Sequence, residues 1–313
     1  MNHLNELQEQ KIALKMLTTY LKSGIPPLLI FHGPDGTGKW SAAEAFVRQR
    51  LCATGNGCGN CPSCRKIEKG SHPDIIQFPE DKIAIGDVKD PEEFTIRWLI
   101  RTRLCYSPFD GPTRFVLFPA ADKIQNEAET ALLKTLEETP DHTRFIFLVR
   151  DLADLKATIV SRGVLIPFHP LPVKTIKKFG DVPDEYIDIL GGSMHLFPFL
   201  QTELFRIMTE KIGAAFLHPL AMHELEQWIH AEDKKNFVGL LGDEEYSKDE
   251  LIDIFSLLLL KAASKMERRF FLWRKIFDFK RDLHKDLTGI GPYLLSRLFH
   301  DLSLILFPEQ INR

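Results

Sequence analysis

The run Gly33-Pro-Asp-Gly-Thr-Gly-Lys39 constrains this chain more than any other stretch. It follows the apolar segment Leu28-Leu-Ile-Phe31 with only His32 between, and precedes a helical pattern that begins at Trp40. Glycines let successive backbone N–H groups converge on an anion, and the N-terminus of the following helix adds partial positive charge. Lys39 stands where an ammonium reaches the outer phosphates of a nucleotide. A glycine-rich turn without ligand is the plain alternative. The strand before and the helix after favour a phosphate-binding loop built on Gly33, Gly36, Gly38 and Lys39.

The loop is incomplete. The next position should carry a Ser or Thr hydroxyl for magnesium, and here it is Trp40, which has no oxygen to offer. Ser41 is no substitute, because one step along a helix turns a side chain by about 100°. A second strand, 114–118, should end in acidic residues that hold the metal and polarise water. It runs instead into Pro119-Ala120-Ala121-Asp122. With both metal-handling features lost, the chain is not expected to hydrolyse ATP. Binding of ATP or ADP is a separate matter, which the sequence leaves open.

The surrounding pattern fits a mostly parallel sheet covered by helices. Further strands are expected at 75–78, 144–149 and 164–168, with helices at 12–21, 40–51 and 124–138, the last stopped by Pro140. Beyond Pro170 the character changes: Pro172 and the pair Gly191-Gly192 punctuate small helices, and from about Glu203 the pattern is helical. Apolar spacing at Ile252, Phe255, Leu259 and Ala262-Ala263 is an example. The expected organisation is an α/β domain over 1–169, a helical lid over 170–203 and an all-helical domain over 204–313.

Cys52, Cys58, Cys61 and Cys64 form C-x5-C-x2-C-x2-C, with Gly55, Gly57 and Gly59 between them. Four thiolates at this spacing close a tetrahedron and leave no position for a reactive water, so the implied metal is a structural zinc over 52–64. An iron–sulfur cluster also uses four cysteines, but placement inside a phosphate-loop domain favours zinc. Cys105 stands alone between Leu104 and Tyr106 and is expected to be buried and inert. Clustering of this kind points to metal rather than disulfides, hence to the cytoplasm. The first residues lack the order of a signal peptide, and the apolar run 254–260 is interrupted by Ser256 and ends at Lys261, too short to span a bilayer. A net charge of −3 counts against a dedicated DNA binder, which needs basic surface to displace counterions.

The knuckle after the loop helix, followed by Gly70-Ser-His72-Pro-Asp74, resembles the bacterial clamp-loader AAA+ ATPases of DNA polymerase III. The likeness continues through Ala131-Leu-Leu-Lys-Thr-Leu-Glu-Glu138, with Thr139 where that family has proline, and through Ser161-Arg162-Gly163, with glycine for its cysteine. It covers about residues 8 to 170. Trp40, Pro119, Ala120 and Arg150, which replaces a polar sensor after the strand ending at Val149, make the chain similar to the delta-prime type rather than the hydrolysing gamma/tau type. The resemblance also implies the loss of a lid arginine near Leu196. The resemblance implies an AAA+ domain, lid and collar in a hetero-pentameric ring with gamma/tau and delta subunits. The sliding clamp and primer-template DNA would be reached through that complex. It also implies that Arg162 acts in the ATP site of a neighbouring subunit.

Between 261 and 285 nine Lys or Arg face three Asp or Glu, interleaved with Phe270, Phe271, Trp273, Phe277 and Phe279. Such mixtures can mark single-stranded nucleic-acid surfaces. At helical spacing the aromatics are expected to pack inward, and the resemblance makes this a collar helix against sibling subunits. The rival functional readings are an active gamma/tau-type ATPase and a zinc-dependent DNA-binding module.

Overall fold

The computed structural model describes residues 4, 8–179, 184–187, 190–195, 197–230, 248–285 and 291–308. The chain divides into two compact units, Met1–Asp181 with Gly191–His195, and Val182–Leu190 with Leu196–Arg313. Residues 170–203, expected as a separate lid, are apportioned between them.

The first unit holds a five-stranded sheet of β1 (Leu28–His32), β2 (Ile75–Gln77), β3 (Arg114–Phe118), β4 (Thr143–Val149) and β5 (Val164–Pro167). Every pairing is parallel, in the order β2-β3-β4-β1-β5. The strands read as unbroken apolar runs because both faces are covered. Leu29 and Phe31 of β1 join a core with α1 (Lys11–Ser23) and α2 (Lys39–Leu51), while Leu28 and Ile30 join a second core on the opposite face. That second core contains Ile96 of α4 (Ile96–Trp98), which runs into a π-turn Leu99–Arg103, and Ala128, Leu132 and Leu136 of α5 (Asn126–Glu137). Leu132 is fully buried, so Leu132→Ala should cost on the order of 2–5 kcal/mol.

α5 starts two residues later than the periodicity predicts, because Ile124 is taken by a parallel bridge to Ile83. The strands are parallel, so their carboxyl ends meet along one edge. The segments leaving β1, β3, β4 and β5 therefore converge where α/β sheets bind ligands.

The second unit is helical: Glu203–Ala215, Pro219–His230, Lys248–Ser264, Arg269–Lys285 and Gly291–Leu306, with short turns Asp184–Ile187 and Phe197–Leu200. The hydroxyl of Thr202 caps the first of these by accepting the Phe205 N–H at 3.2 Å. Ile252, Phe255, Leu259 and Ala263 are buried, as their spacing predicts. The aromatic stretch behaves differently. Leu272, Ile276 and Phe279 form the inward stripe of Arg269–Lys285, and Phe270, Phe271 and Phe277 are exposed. Leu272, Ile276 and Phe279 at i, i+4 and i+7 already fill the buried face, which leaves three of the five aromatics exposed. No described helix is long and apolar enough to cross a membrane.

Candidate functional site

The loop 33–39 leaves β1 at the carboxyl edge and ends in α2, whose N-cap is Gly38. Two of its glycines are required by close approach. A Cβ on Gly33 would lie 2.1 Å from the Phe168 carbonyl oxygen, beside the end of β5. Gly36 has φ 65°, and a Cβ there would lie 2.1 Å from the His195 backbone nitrogen. Gly36 O accepts the Met194 N–H at 3.1 Å, so the segment Gly191–His195 lies against the loop. The Lys39 ammonium turns back onto its own loop: it donates to Gly33 O, to Pro34 O at 2.9 Å and to Asp35 Oδ1 at 3.0 Å. Those are all three of its donors.

Gln10, which sequence reasoning missed, ties this region together. Its side chain is buried, donates to Thr37 O at 3.1 Å and His169 O at 2.7 Å, and accepts the His169 N–H at 2.9 Å. Nothing local to a lone glutamine before a helix signals that role. His32, at the end of β1, is held below the ordinary imidazole range by burial, reinforced by His169 and opposed by Asp151.

Trp40 is half-buried and its side chain packs against the core shared by α1 and α2. It also lines a cavity of about 470 Å³ with Val47, Ile75, Phe94, Trp98 and Leu117. Pro119 and Ala120 follow β3, and Asp122 is exposed in a 3₁₀ turn, Ala121–Lys123. Arg150 is exposed after β4. Leu196, near which the resemblance implies the loss of a lid arginine, lies outside the described residues.

The four knuckle cysteines come together, with all Sγ atoms within 4.8 Å of one another. A tetrahedron of metal–sulfur bonds of about 2.3 Å spaces its sulfurs by about 3.8 Å, so a modest contraction closes the site on an ion. The backbone is arranged for thiolates: Cys58 N–H donates to Cys52 Sγ at 3.3 Å, Cys61 N–H to Cys58 Sγ and Cys64 N–H to Cys61 Sγ, both at 3.4 Å. Burial would raise the Cys52 thiol, but hydrogen bonds from Thr54 and the Cys58 N–H outweigh it and bring it down to about 5. Burial pushes Cys64 up to about 12. This donor set suits a closed four-thiolate ion. Cys105 differs from expectation. It is exposed, because Leu104 takes the inward position at the end of the π-turn and the chain then leaves the core.

The stretch 70–74 anchors the knuckle. Ser63, on α3 (Pro62–Glu68), pairs with His72 Nε2 at 2.9 Å, and His72 Nδ1 accepts the Asp74 N–H at 3.2 Å. The neutral ring therefore carries its proton on Nε2, and burial holds its pKa down. Asp74 is fully buried, and its carboxylate accepts the N–H groups of Phe109, Asp110 and Gly111. Buried Arg114 holds the same loop from its other polarity, donating to the carbonyls of Arg103, Tyr106 and Ser107.

Arg162 follows the one-turn helix α6 (Ala157–Val160). Its guanidinium donates to Thr158 O at 2.7 Å and pairs with Glu137 at the end of α5. At the other end of the segment, Glu129 accepts the Lys156 N–H at 2.7 Å, and the Lys156 ammonium donates to Asn126 O at 2.6 Å. At Gly163 a Cβ would lie 2.5 Å from Ile30 Cδ1, so the cysteine found there in the resembling family could enter only if Ile30 moved.

The comparisons agree with this architecture. A family described as "DNA polymerase III, delta subunit" matches residues 9–172. The gamma/tau subunit of DNA polymerase III from Mycobacterium tuberculosis (strain ATCC 25618 / H37Rv) is 33% identical over 151 residues, covering 47% of this chain and 25% of that protein. The delta' subunit from Bacillus subtilis (strain 168) is 30% identical over 179 residues, covering 56% and 51%. The chain therefore spans about a quarter to a half of the length of these relatives. In structure, a DNA polymerase III gamma subunit-related protein from Thermotoga maritima aligns with a TM-score of 0.56 at 16% identity, covering 93% of this chain and 98% of that one, a likeness of fold. With the family matching more than half of its residues, the chain belongs to the bacterial DNA polymerase III clamp-loader family.

Proposed function

We propose that this chain is the delta-prime-type subunit of a clamp loader. It would be a non-hydrolysing member of a ring with gamma/tau and delta subunits, helping to place the sliding clamp on primer-template DNA in the cytoplasm. The observation that carries this reading is Trp40. At the position where the loop should offer magnesium a hydroxyl, an indole packs against the domain core. Pro119 and Ala120 remove the second set of metal ligands. Gly33, Gly36, Gly38 and Lys39 would then form a degenerate nucleotide site, and Cys52, Cys58, Cys61 and Cys64 would hold one structural zinc.

Arg162 gives such a subunit a catalytic part to play. A guanidinium supplied in trans to a neighbour's γ-phosphate is worth about 10³- to 10⁵-fold in rate where it has been measured. Its permanent charge and forked donors suit a phosphate better than an ammonium does. Reconstitution with gamma/tau and delta subunits tests both halves. The isolated chain should show no magnesium-dependent ATP turnover, and the assembled complex carrying Arg162→Ala should lose turnover and clamp loading while assembling normally. Turnover by the isolated chain would favour the alternative, a hydrolysing gamma/tau-type subunit. Wild-type turnover by the Arg162→Ala complex would reduce Arg162 to a surface charge.

A further inference from the structure

We infer that Glu137 is the positioning residue for Arg162, an inference that rests on the trans-acting reading of that arginine. Two acidic residues, Glu137 and Glu138, end α5. A carboxylate there faces the negative end of the helix dipole, which disfavours it. Helix stability therefore argues against Glu137, and its place is explained by what it touches. Its carboxylate pairs with Arg162, 25 residues further along the chain.

The pair is one half of a two-point support. α5 grips the segment before Arg162 with Glu129, Asn126 and Thr130, all three engaged with Lys156. It grips the arginine itself with Glu137 at its far end. The 156–162 segment is thus referenced to one rigid helix at both ends. Arg162 uses one N–H of Nη1 on Thr158 O and one of Nη2 on Glu137. A guanidinium has five N–H donors, so three remain for an external phosphate. The side chain is a third exposed, so those donors are within reach of a partner. An arginine already fixed loses less rotamer freedom when it engages, which is the usual gain from preorganisation.

The test is a double-mutant cycle on the reconstituted complex, read as the Arg162-dependent part of ATP turnover, that is, wild type minus Arg162→Ala. An exposed ion pair is worth about 0.2–1 kcal/mol, so Glu137→Ala should lower this part of kcat by up to about fivefold. KM for ATP should hardly move. Glu137→Gln, which keeps an acceptor, should fall between wild type and Glu137→Ala. In the Arg162→Ala background, Glu137→Ala should change nothing, whereas a merely structural glutamate would lower turnover in both backgrounds. Helix content by circular dichroism and zinc content establish that each variant folds. If Arg162→Ala lowers turnover but Glu137→Ala matches wild type, or acts equally in both backgrounds, the positioning role is gone and the trans reading survives. If Arg162→Ala itself has no effect, both fall together.

Discussion

Asp74→Asn is the sharpest probe of how the first unit is built. The carboxylate is fully buried and accepts the N–H groups of three consecutive residues, Phe109 at 2.5 Å, Asp110 at 2.7 Å and Gly111 at 2.9 Å. Hydrogen bonds to a charged group contribute about 1.5–3 kcal/mol each. Asparagine has the same shape, but its NH₂ must face at least one of these N–H donors. It loses that bond outright, and the others lose their charge. The expected cost is about 3 kcal/mol, at the lower end of the range for removing one partner of a buried charged network. The protein has two units and need not unfold in one step, so the assay should be local. Hydrogen exchange at amides 109–111 of the metal-loaded chain reports the opening of this loop. At 1.36 kcal/mol per decade, exchange there should accelerate on the order of a hundredfold. Lys66→Ala serves as control: it removes a partly exposed pair with Asp110 and should cost under about 1 kcal/mol. If amides 109–111 of Asp74→Asn exchange within about threefold of wild type, the carboxylate does not hold the loop and the argument fails.

Two further outcomes are expected. The purified chain should contain one zinc, and in that form a thiol reagent should modify only exposed Cys105. Chelation or Cys61→Ala should expose the remaining knuckle thiols, and four reactive knuckle cysteines in untreated protein would contradict the site. Stability should also fall as pH drops below about 6.5, the ordinary histidine value. The pKa of His72 is depressed in the folded state, so the unfolded chain takes up a proton that the buried ring does not, and stability rises with pH across that window. His32 contributes in the same direction. His72→Gln should flatten the slope measured by urea unfolding between pH 5.5 and 6.5, and an unchanged slope would mean that the ring titrates normally.

What the sequence discloses about this fold is what lies close along the chain. The loop 33–39 and the cysteines 52, 58, 61 and 64 are legible because their ligand sets are local, and β1, β3 and β4 are legible because buried parallel strands read as apolar runs. The partners of His72 and Asp74 were not legible. Asp74 acts on residues 35 to 37 positions away, and the pattern 70–74 gives no indication of which loop it holds. Gln10 meets His169 across 159 residues, a distance closed only because β1 and β5 are neighbours in the sheet. Composition misled at two places. Cys105 is exposed although its neighbour Leu104 is buried, and Phe270, Phe271 and Phe277 are exposed although their helix has an apolar face. In both, other side chains had already filled the inward positions.

If the chain is the non-hydrolysing subunit proposed above, the fold itself gives a reason for a phosphate-loop sequence to persist without metal ligands. Keeping Gly33, Gly36 and Lys39 would ordinarily argue for a bound nucleotide. Here each also has a job within the fold itself. Gly33 admits the Phe168 carbonyl, Gly36 admits the backbone of Met194 and His195, and Lys39 satisfies two carbonyls and a carboxylate of its own loop. The loop is thereby a joint between β1, the end of β5 and the segment Gly191–His195, with Gln10 as its clasp. A side chain at Gly36 would meet both a φ of 65° and a backbone nitrogen, and neither obstacle depends on phosphate. The packing of the fold by itself therefore accounts for these residues, phosphate or not. The hydroxyl that magnesium needs can be exchanged for an indole, because the half-buried site there gives a large apolar side chain a core to pack on. Glycines and lysine at 33, 36 and 39 beside an indole at 40 are the pattern expected if, as proposed above, metal chemistry is given up and the architecture is kept.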